Sequence, residues 1–278
     1  MFYNLHNMQN TIFHIHTYIC KHSSNHLDEI VSYALKHNYK KLYFTEHPPI
    51  TIKCPYQSRR ASYEEIAQLK HDIDKVNKKY KNRLHIYFGY EVEYNKANRW
   101  YIQKLAKDKY CEFLIFGNHF YGDLFKIKLP LPLVMNVTKT KKQLEEFNDN
   151  NKAAMSSGLM SWVAHPDIFL NSYKKWDKTA IAVSKTTIKY AIKYKLPLAF
   201  NVNFESYKTK SPWHYPCKHF WKLVSKTNIP VIIESDAHDM HPLKVDWLKK
   251  ARQLAISYGL AKNLTDKIKL RKLNKKAS

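Results

Sequence analysis

Short apolar runs alternate with longer amphipathic segments from one end of the chain to the other. The apolar, β-branched and aromatic runs predict strands at 12–16 (IFHIH), 41–46 (KLYFTE), 85–92 (HIYFGYEV), 112–118 (EFLIFGN), 161–165 (SWVAH), 197–203 (PLAFNVN) and 230–235 (PVIIES). Between them apolar positions recur at helical spacing, which predicts helices at 26–38, 63–80, 98–108, 139–158, 178–194, 217–227 and 243–258. In the first of these Ile30, Val31, Ala34 and Leu35 share a face. Ser62 and Glu65 form a capping box ahead of the second, and Gly259 stops the last.

The count is seven βα units. Strict alternation of strand and helix implies a parallel sheet with right-handed crossovers. The strands are apolar on both faces, as parallel strands covered by helices are. With no linker and no internal repeat, the expected fold is α/β: one closed or nearly closed barrel across residues 1–278, as a single domain. The segment 119–138, with two prolines and no clear period, is expected to be a long irregular loop over the barrel mouth.

The polar residues gather at the strand ends. Alternation along the first strand puts His14 and His16 on one face, and Phe13 and Ile15 on the other, outward against helices. His22 lies on the following loop. His47 follows the second strand, Glu91 ends the third among aromatics, and His119 follows the fourth. His165 and Asp167 close the fifth, and Asp236 and His238 close the seventh. Barrel active sites sit at the C-terminal ends of the strands. Any one imidazole is well explained as a satisfied core histidine. Seven imidazoles and two carboxylates at one mouth are hard to bury without partners. They are competent ligands for Zn²⁺, Mn²⁺ or Fe²⁺, and nine exceed the needs of one ion. Two or three ions sharing a bridging carboxylate fit the number. His6, His26, His37, His71, His85, His219 and His241 fall outside this pattern, while His214 could face the site from the sixth loop.

Composition adds less. A 44% hydrophobic content is ordinary for a globular chain. Five glycines argue against Gly-rich phosphate loops and a many-turned all-β fold. The net charge of +24 rests on 41 lysines against 6 arginines, with Asn, Tyr and Ile also abundant. That points first to compositional bias, with a field that draws phosphorylated substrates as a consequence. The stretch 260–278 carries seven basic residues and one acidic, and is read as a helix end followed by a frayed tail. It lacks the aromatics on which nucleic acid stacks. Cys20, Cys54, Cys111 and Cys217 form no CxxC pair. The N-terminal MFYNLHNMQN has neither a basic nor an apolar signal region, and no apolar run is long enough to span a membrane. A cytoplasmic protein with reduced thiols is the expectation, and no oligomeric state is read from the sequence.

The strand-end motifs occur in a telling order: His14-Ile15-His16, Cys20-Lys21-His22, Thr45-Glu46-His47, Gly89-Tyr90-Glu91, Gly117-Asn118-His119, His165-Pro166-Asp167 and Ser235-Asp236-Ala237-His238. Over residues 12–245 this resembles the PHP (polymerase and histidinol phosphatase) family, and its histidinol-phosphatase branch in the phrases FTEHPP and GYEVEY. The resemblance implies a distorted (β/α)7 barrel with a trinuclear metal centre. His14, His16, Glu91 and Asp236 would hold one ion. Glu91 would bridge to a second held by His119 and His165, and His22, His47 and His238 would hold a third. It implies hydrolysis of a small phosphate monoester, L-histidinol phosphate in the family, by a metal-bound hydroxide. Asp236 or His238 would take part in protonating the leaving group.

Departures from the family pattern bear on the substrate. Asn201 fits a substrate-side Asn in the sixth strand, but Ala199 stands where an acid is usual and no Arg follows. Lys208 or Lys210 could stand in for it. Arg59 and Arg60 either clamp phosphate or form a solvated pair before a helix. Ile12 replaces an Asp before HxH, and Glu234 replaces a Gly before SDAH. The alternative enzyme is a nucleotide or oligonucleotide phosphoesterase of the same family, with Tyr121, Phe125 and Trp213 as stacking platforms. A basic binding protein with structural metals is the reading from another class.

Overall fold

In the computed structural model, which describes residues 10–50, 57–123, 125–126, 133–202 and 215–273, seven parallel strands close into a barrel in chain order. They are β1 (Thr11–Ile15), β2 (Lys41–Glu46), β3 (His85–Val92), β4 (Phe113–Phe116), β5 (Met160–Val163), β6 (Leu198–Asn201) and β7 (Val231–Ala237). The helices are α1 (Leu27–Lys36), α2 (Tyr63–Lys79), α3 (Arg99–Leu105), α4 (Val134–Val137), α5 (Lys141–Ser156), α6 (Lys178–Tyr194), α7 (Lys218–Val224) and α8 (Val245–Ser257). Each predicted strand and helix is present. Among the described residues α4 is an added α-helix, in the segment read as loop, where Phe120 and Leu133 also form an antiparallel bridge.

Local chemistry sets the helix ends. Glu65 N–H donates to Ser62 Oγ at 3.2 Å, and Ser62 N–H donates back to Glu65 Oε2 at 2.8 Å, closing the predicted capping box. Thr140 and Gln143 form a second one at α5. Gly259 takes φ +92° just past α8, where a side chain would strain the backbone.

Two cores result. Outward residues such as Ile12, Ile15, Leu42, Phe44, Leu114 and Phe200 pack under the helices. The barrel interior is filled by Phe13, Tyr43, Phe113, Ile115, Trp162, Ala164, Ala199 and Ile232. Phe13 therefore points inward, contrary to the simple alternation. The cause is a bulge: His14 takes φ +65°, and the β1–β2 and β1–β7 registers both shift between Phe13 and Ile15. The extra turn of the chain sends Phe13 into the core and still leaves His14 and His16 facing the mouth.

As far as residue 273, where the described residues end, the C-terminal segment is not a frayed tail. Val231 N–H donates to Asn263 O at 2.8 Å, and Thr265 N–H donates to Val231 O at 2.9 Å. Ile268 and Leu270 pack onto the interior cluster, and Arg271 N–H donates to Ser161 Oγ at 3.1 Å. The segment closes the barrel floor at the N-terminal ends of β5 and β7, with Lys267, Lys269 and Lys272 turned to solvent. Replacing Ile268 and Leu270 together by Asp should lower stability by about 2–3 kcal/mol. Urea unfolding would register this as a lower midpoint at unchanged slope; an unchanged midpoint would mean the floor does not need the segment.

Candidate metal centre

The nine strand-end residues converge at the opposite end of the barrel. Among the described residues their ligand atoms form three separate trios, each mutually within 4.8 Å: His14, His16 and Asp236; Glu91, His119 and His165; and His22, His47 and His238; two further trios, His16, His47 and Glu91, and His16, Cys20 and His238, overlap them. Glu91 is central. Its Oε1 lies 2.9 Å from His165 Nε2 and 3.2 Å from His119 Nε2, and its Oε2 lies 3.3 Å from His14 Nε2 and 3.5 Å from His16 Nε2. Gly117 makes room for this, since a Cβ there would overlap Glu91 Oε1 and His119 Cε1.

Backbone strain is concentrated here. His14 (φ +65°), His165 (φ +30°) and Asp236 (φ +45°) all occupy the left-handed region. Each such residue costs about 1–2 kcal/mol, which persists only where the surroundings hold it. The register shifts of β1 and β7 fall beside His14 and Asp236.

The hydrogen bonds around the cluster fix which ring nitrogens carry protons. His22 Nδ1 donates to Cys20 O at 2.7 Å, and His238 Nδ1 donates to Asp236 O at 3.1 Å. As neutral rings, both then present bare lone pairs at Nε2, and those two atoms face each other at 3.1 Å. A shared cation resolves that repulsion. His16 Nδ1, His47 Nδ1 and His165 Nδ1 are buried without a hydrogen-bond partner. This donor set, rich in neutral imidazole and carboxylate, fits divalent transition ions.

Electrostatics divides the rings into two kinds. Burial, and then the neighbouring His238, pull His16 down to about 3 and His22 down to about 4. Burial and Arg60 hold His47 well below its ordinary value. These rings are neutral donors that could accept an ion without losing a proton. For His14, burial pulls downward, but the charges of Glu91, Glu234 and Asp236 outweigh it and raise its pKa. For His119, burial is likewise outweighed, by Glu91 and Glu93. Glu91 stays ionised against its burial because His119 and His14 surround it.

A cleft of about 250 Å³ opens above the cluster. Arg59 stands on one wall, exposed, and Phe120, Leu133 and Met135 form an apolar wall. Arg60 is only 5% exposed, so the pair is not simply solvated. Asn201 Nδ2 donates to Asp236 Oδ2 at 2.9 Å, which ties its amide to a candidate ligand. Tyr121 is buried with its hydroxyl 2.6 Å from Thr138 Oγ1, and offers no stacking platform. Phe125 packs against Trp100 and Tyr101. His6, Cys54, Lys208, Lys210, Trp213 and His214 lie outside the described residues.

Three carboxylates of the surrounding shell were not singled out for a role by sequence. Glu93 Oε1 accepts from His119 Nδ1 at 2.6 Å, and its Oε2 accepts from His119 N–H at 3.0 Å. Its signal was the period of two in GYEVEY, which puts it on the face of Glu91. Asp167 accepts from Cys217 N–H at 2.6 Å and Trp221 Nε1–H at 3.0 Å, tying α7 to the end of β5, and burial pushes its carboxyl up to about 7. Glu234, noted only as a departure, lies against His14.

Comparison with known proteins agrees with this arrangement. The PHP domain profile matches residues 13–203. A histidinol-phosphatase of Bacillus subtilis is 34% identical over 92 residues, a match that spans only 34% of that protein and 31% of this chain. A probable histidinol-phosphatase of Schizosaccharomyces pombe is 19% identical over 271 residues, covering 83% of that protein and 89% of this chain. Among solved structures, the histidinol phosphate phosphatase of Lactococcus lactis, complexed with zinc, L-histidinol and phosphate, shares the fold. It has a TM-score of 0.70 at 16% identity, over 94% of this chain and 99% of that one.

Proposed function

The chain belongs to the PHP domain family, and from that premise we propose that it is a metal-dependent phosphomonoesterase of the histidinol-phosphatase type. The observation that carries this reading is the set of nine donor side chains drawn together under one cleft, with facing lone pairs and unpartnered ring nitrogens. Relatives named as histidinol-phosphatases, one of them solved with zinc and phosphate, support the substrate class.

In this reading three ions would be held: by His14, His16, Glu91 and Asp236; by Glu91, His119 and His165; and by His22, His47 and His238. Bound divalent ions supply Lewis acidity and lower the pKa of water. The chain's own residues do the rest. Glu91, with His119 and His165 near one oxygen and His14 and His16 near the other, would serve both the first and the second position. Asn201 fixes the plane of Asp236. Asp236 and His238 line the cleft in which the ester would sit. Arg59 offers a charge for the phosphate dianion, and the wall of Phe120, Leu133 and Met135 suits the organic part of a small ester. Cys20, Cys111 and Cys217 are buried and, among the described residues, form no disulfide, which suits a reducing cytoplasmic setting. Among the described residues no helix is long and apolar enough to cross a membrane.

The test is turnover of p-nitrophenyl phosphate and L-histidinol phosphate with added Mn²⁺ or Zn²⁺. Both monoesters are expected to be hydrolysed, and bis-p-nitrophenyl phosphate is not. Metal-loaded protein that cleaves neither monoester would sink the reading. Cleavage of the diester as fast as the monoester would replace it with a nucleotide or oligonucleotide phosphoesterase.

A further inference from the structure

Glu234 stands where the family resemblance expects glycine, and its side chain is 0% exposed. Burying a carboxylate is costly unless each oxygen is matched. Here both are. Oε2 accepts from His14 Nδ1 at 2.9 Å, and Oε1 accepts from the backbone N–H of His165 at 2.9 Å. One carboxylate thus grips the ring of one candidate ligand and the main chain of another. His14 and His165 are also two of the three left-handed residues at the site. Ala199, where the resemblance expects an acid, lies on the neighbouring strand in register with Ile232, two residues before Glu234. The buried acid stands on β7 in this chain and not on β6.

The chemistry of this grip is directional. An ionised carboxylate only accepts hydrogen bonds. The proton of a neutral His14 must therefore sit on Nδ1, which leaves Nε2 bare. That nitrogen faces His16 Nε2 at 3.0 Å, Glu91 Oε2 at 3.3 Å and Asp236 Oδ1 at 3.6 Å. An imidazole ligates through the nitrogen that lacks the proton, and its other partner decides which one that is.

We propose that Glu234 is a positioning residue that holds His14 as its Nδ1–H tautomer and, through His165, couples two of the ion positions. The inference rests on the metal-dependent reading above. It joins the His14/His16/Asp236 position to the Glu91/His119/His165 position, and leaves the His22/His47/His238 position independent.

Glu234→Gln tests this with almost no change of volume. If the amide oxygen stays on His165 N–H, the amide NH₂ faces His14 and demands an acceptor at Nδ1, which moves the ring proton to Nε2. If the amide flips, two donors meet at His165. Zinc binding is measured by competition with a chelating indicator on stripped, refolded-checked protein. The variant is expected to bind about 10–100-fold more weakly at two positions, with the third unchanged. In a His14→Ala background the same substitution should cost much less, because the ring it acts on is gone. Zinc affinities like the wild type's at every position would overturn the proposal, as would an equal loss in the His14→Ala background. Should the variant not fold, ¹⁵N-imidazole NMR of zinc-loaded wild type decides: a protonated Nδ1 on His14 supports it, and a protonated Nε2 overturns it. Wild-type protein that takes up no zinc would instead remove the metal-dependent reading itself.

Discussion

Glu91→Gln is expected to lower phosphomonoesterase turnover by about 10³-fold and to release at least one ion per chain. The substitution keeps the shape of the side chain and removes its charge. In the wild type five imidazoles lie within 3.5 Å of the two oxygens, His47 Nδ1 being the fifth. A Gln can turn its oxygen to only one side. On the other side its NH₂ would donate to a ring nitrogen, and so compete for the lone pair that an ion needs. The fold should survive, because Glu91 is supported from behind by the strand pairing of β3 with β4 and by the space that Gly117 leaves. Steady-state kinetics with elemental analysis of the same sample checks both parts. Turnover within tenfold of wild type at full metal content would remove Glu91 from the bridging position. Glu93→Gln should be milder, about 10–100-fold, since Glu93 acts on His119 from outside the cluster.

Much of this was legible in the sequence, for reasons that particular residues make plain. Parallel strands covered on both sides read as apolar runs such as KLYFTE and PVIIES, and one-sided helices read at 3.6 spacing, so the seven units stood out. The site was legible because ligating residues interrupt those runs at their ends. Three features were not. The bulge at His14 is a backbone conformation, and nothing in IFHIH distinguishes it from plain alternation. The floor segment hides Leu264, Ile268 and Leu270 among lysines, so charge masked an alternating apolar pattern. Arg60 and Glu234 are buried charges, and burial of a charge depends on partners far away in sequence: Glu234 is 220 residues from His14. Asn201 shows the same limit, since the partner its amide donates to, Asp236, lies 35 residues away in sequence.

Stripping the metal should lower the thermal midpoint by about 10 °C. A ligand that binds only the folded chain adds about 4 kcal/mol when its free concentration is about 1,000 times its Kd. At this chain length each kcal/mol moves the midpoint by about 2–4 °C. The loss should also be local. His14, His165 and Asp236 hold left-handed backbone at the ends of β1, β5 and β7. Without ions, that strain is left to contacts within the chain, among them Glu234 on His14 and His165, Ser235 Oγ lying 2.7 Å from His14 O, and Asn201 on Asp236. Amide hydrogen exchange should therefore rise at residues 13–17, 164–168 and 235–238 on chelation. The α2 segment, which packs at the side of the barrel and holds its own capping box, should stay protected. Equal melting of loaded and stripped protein would mean that ions do not hold these strand ends. A uniform rise in exchange would mean that they stabilise the barrel as a whole and not the three strained residues at its mouth.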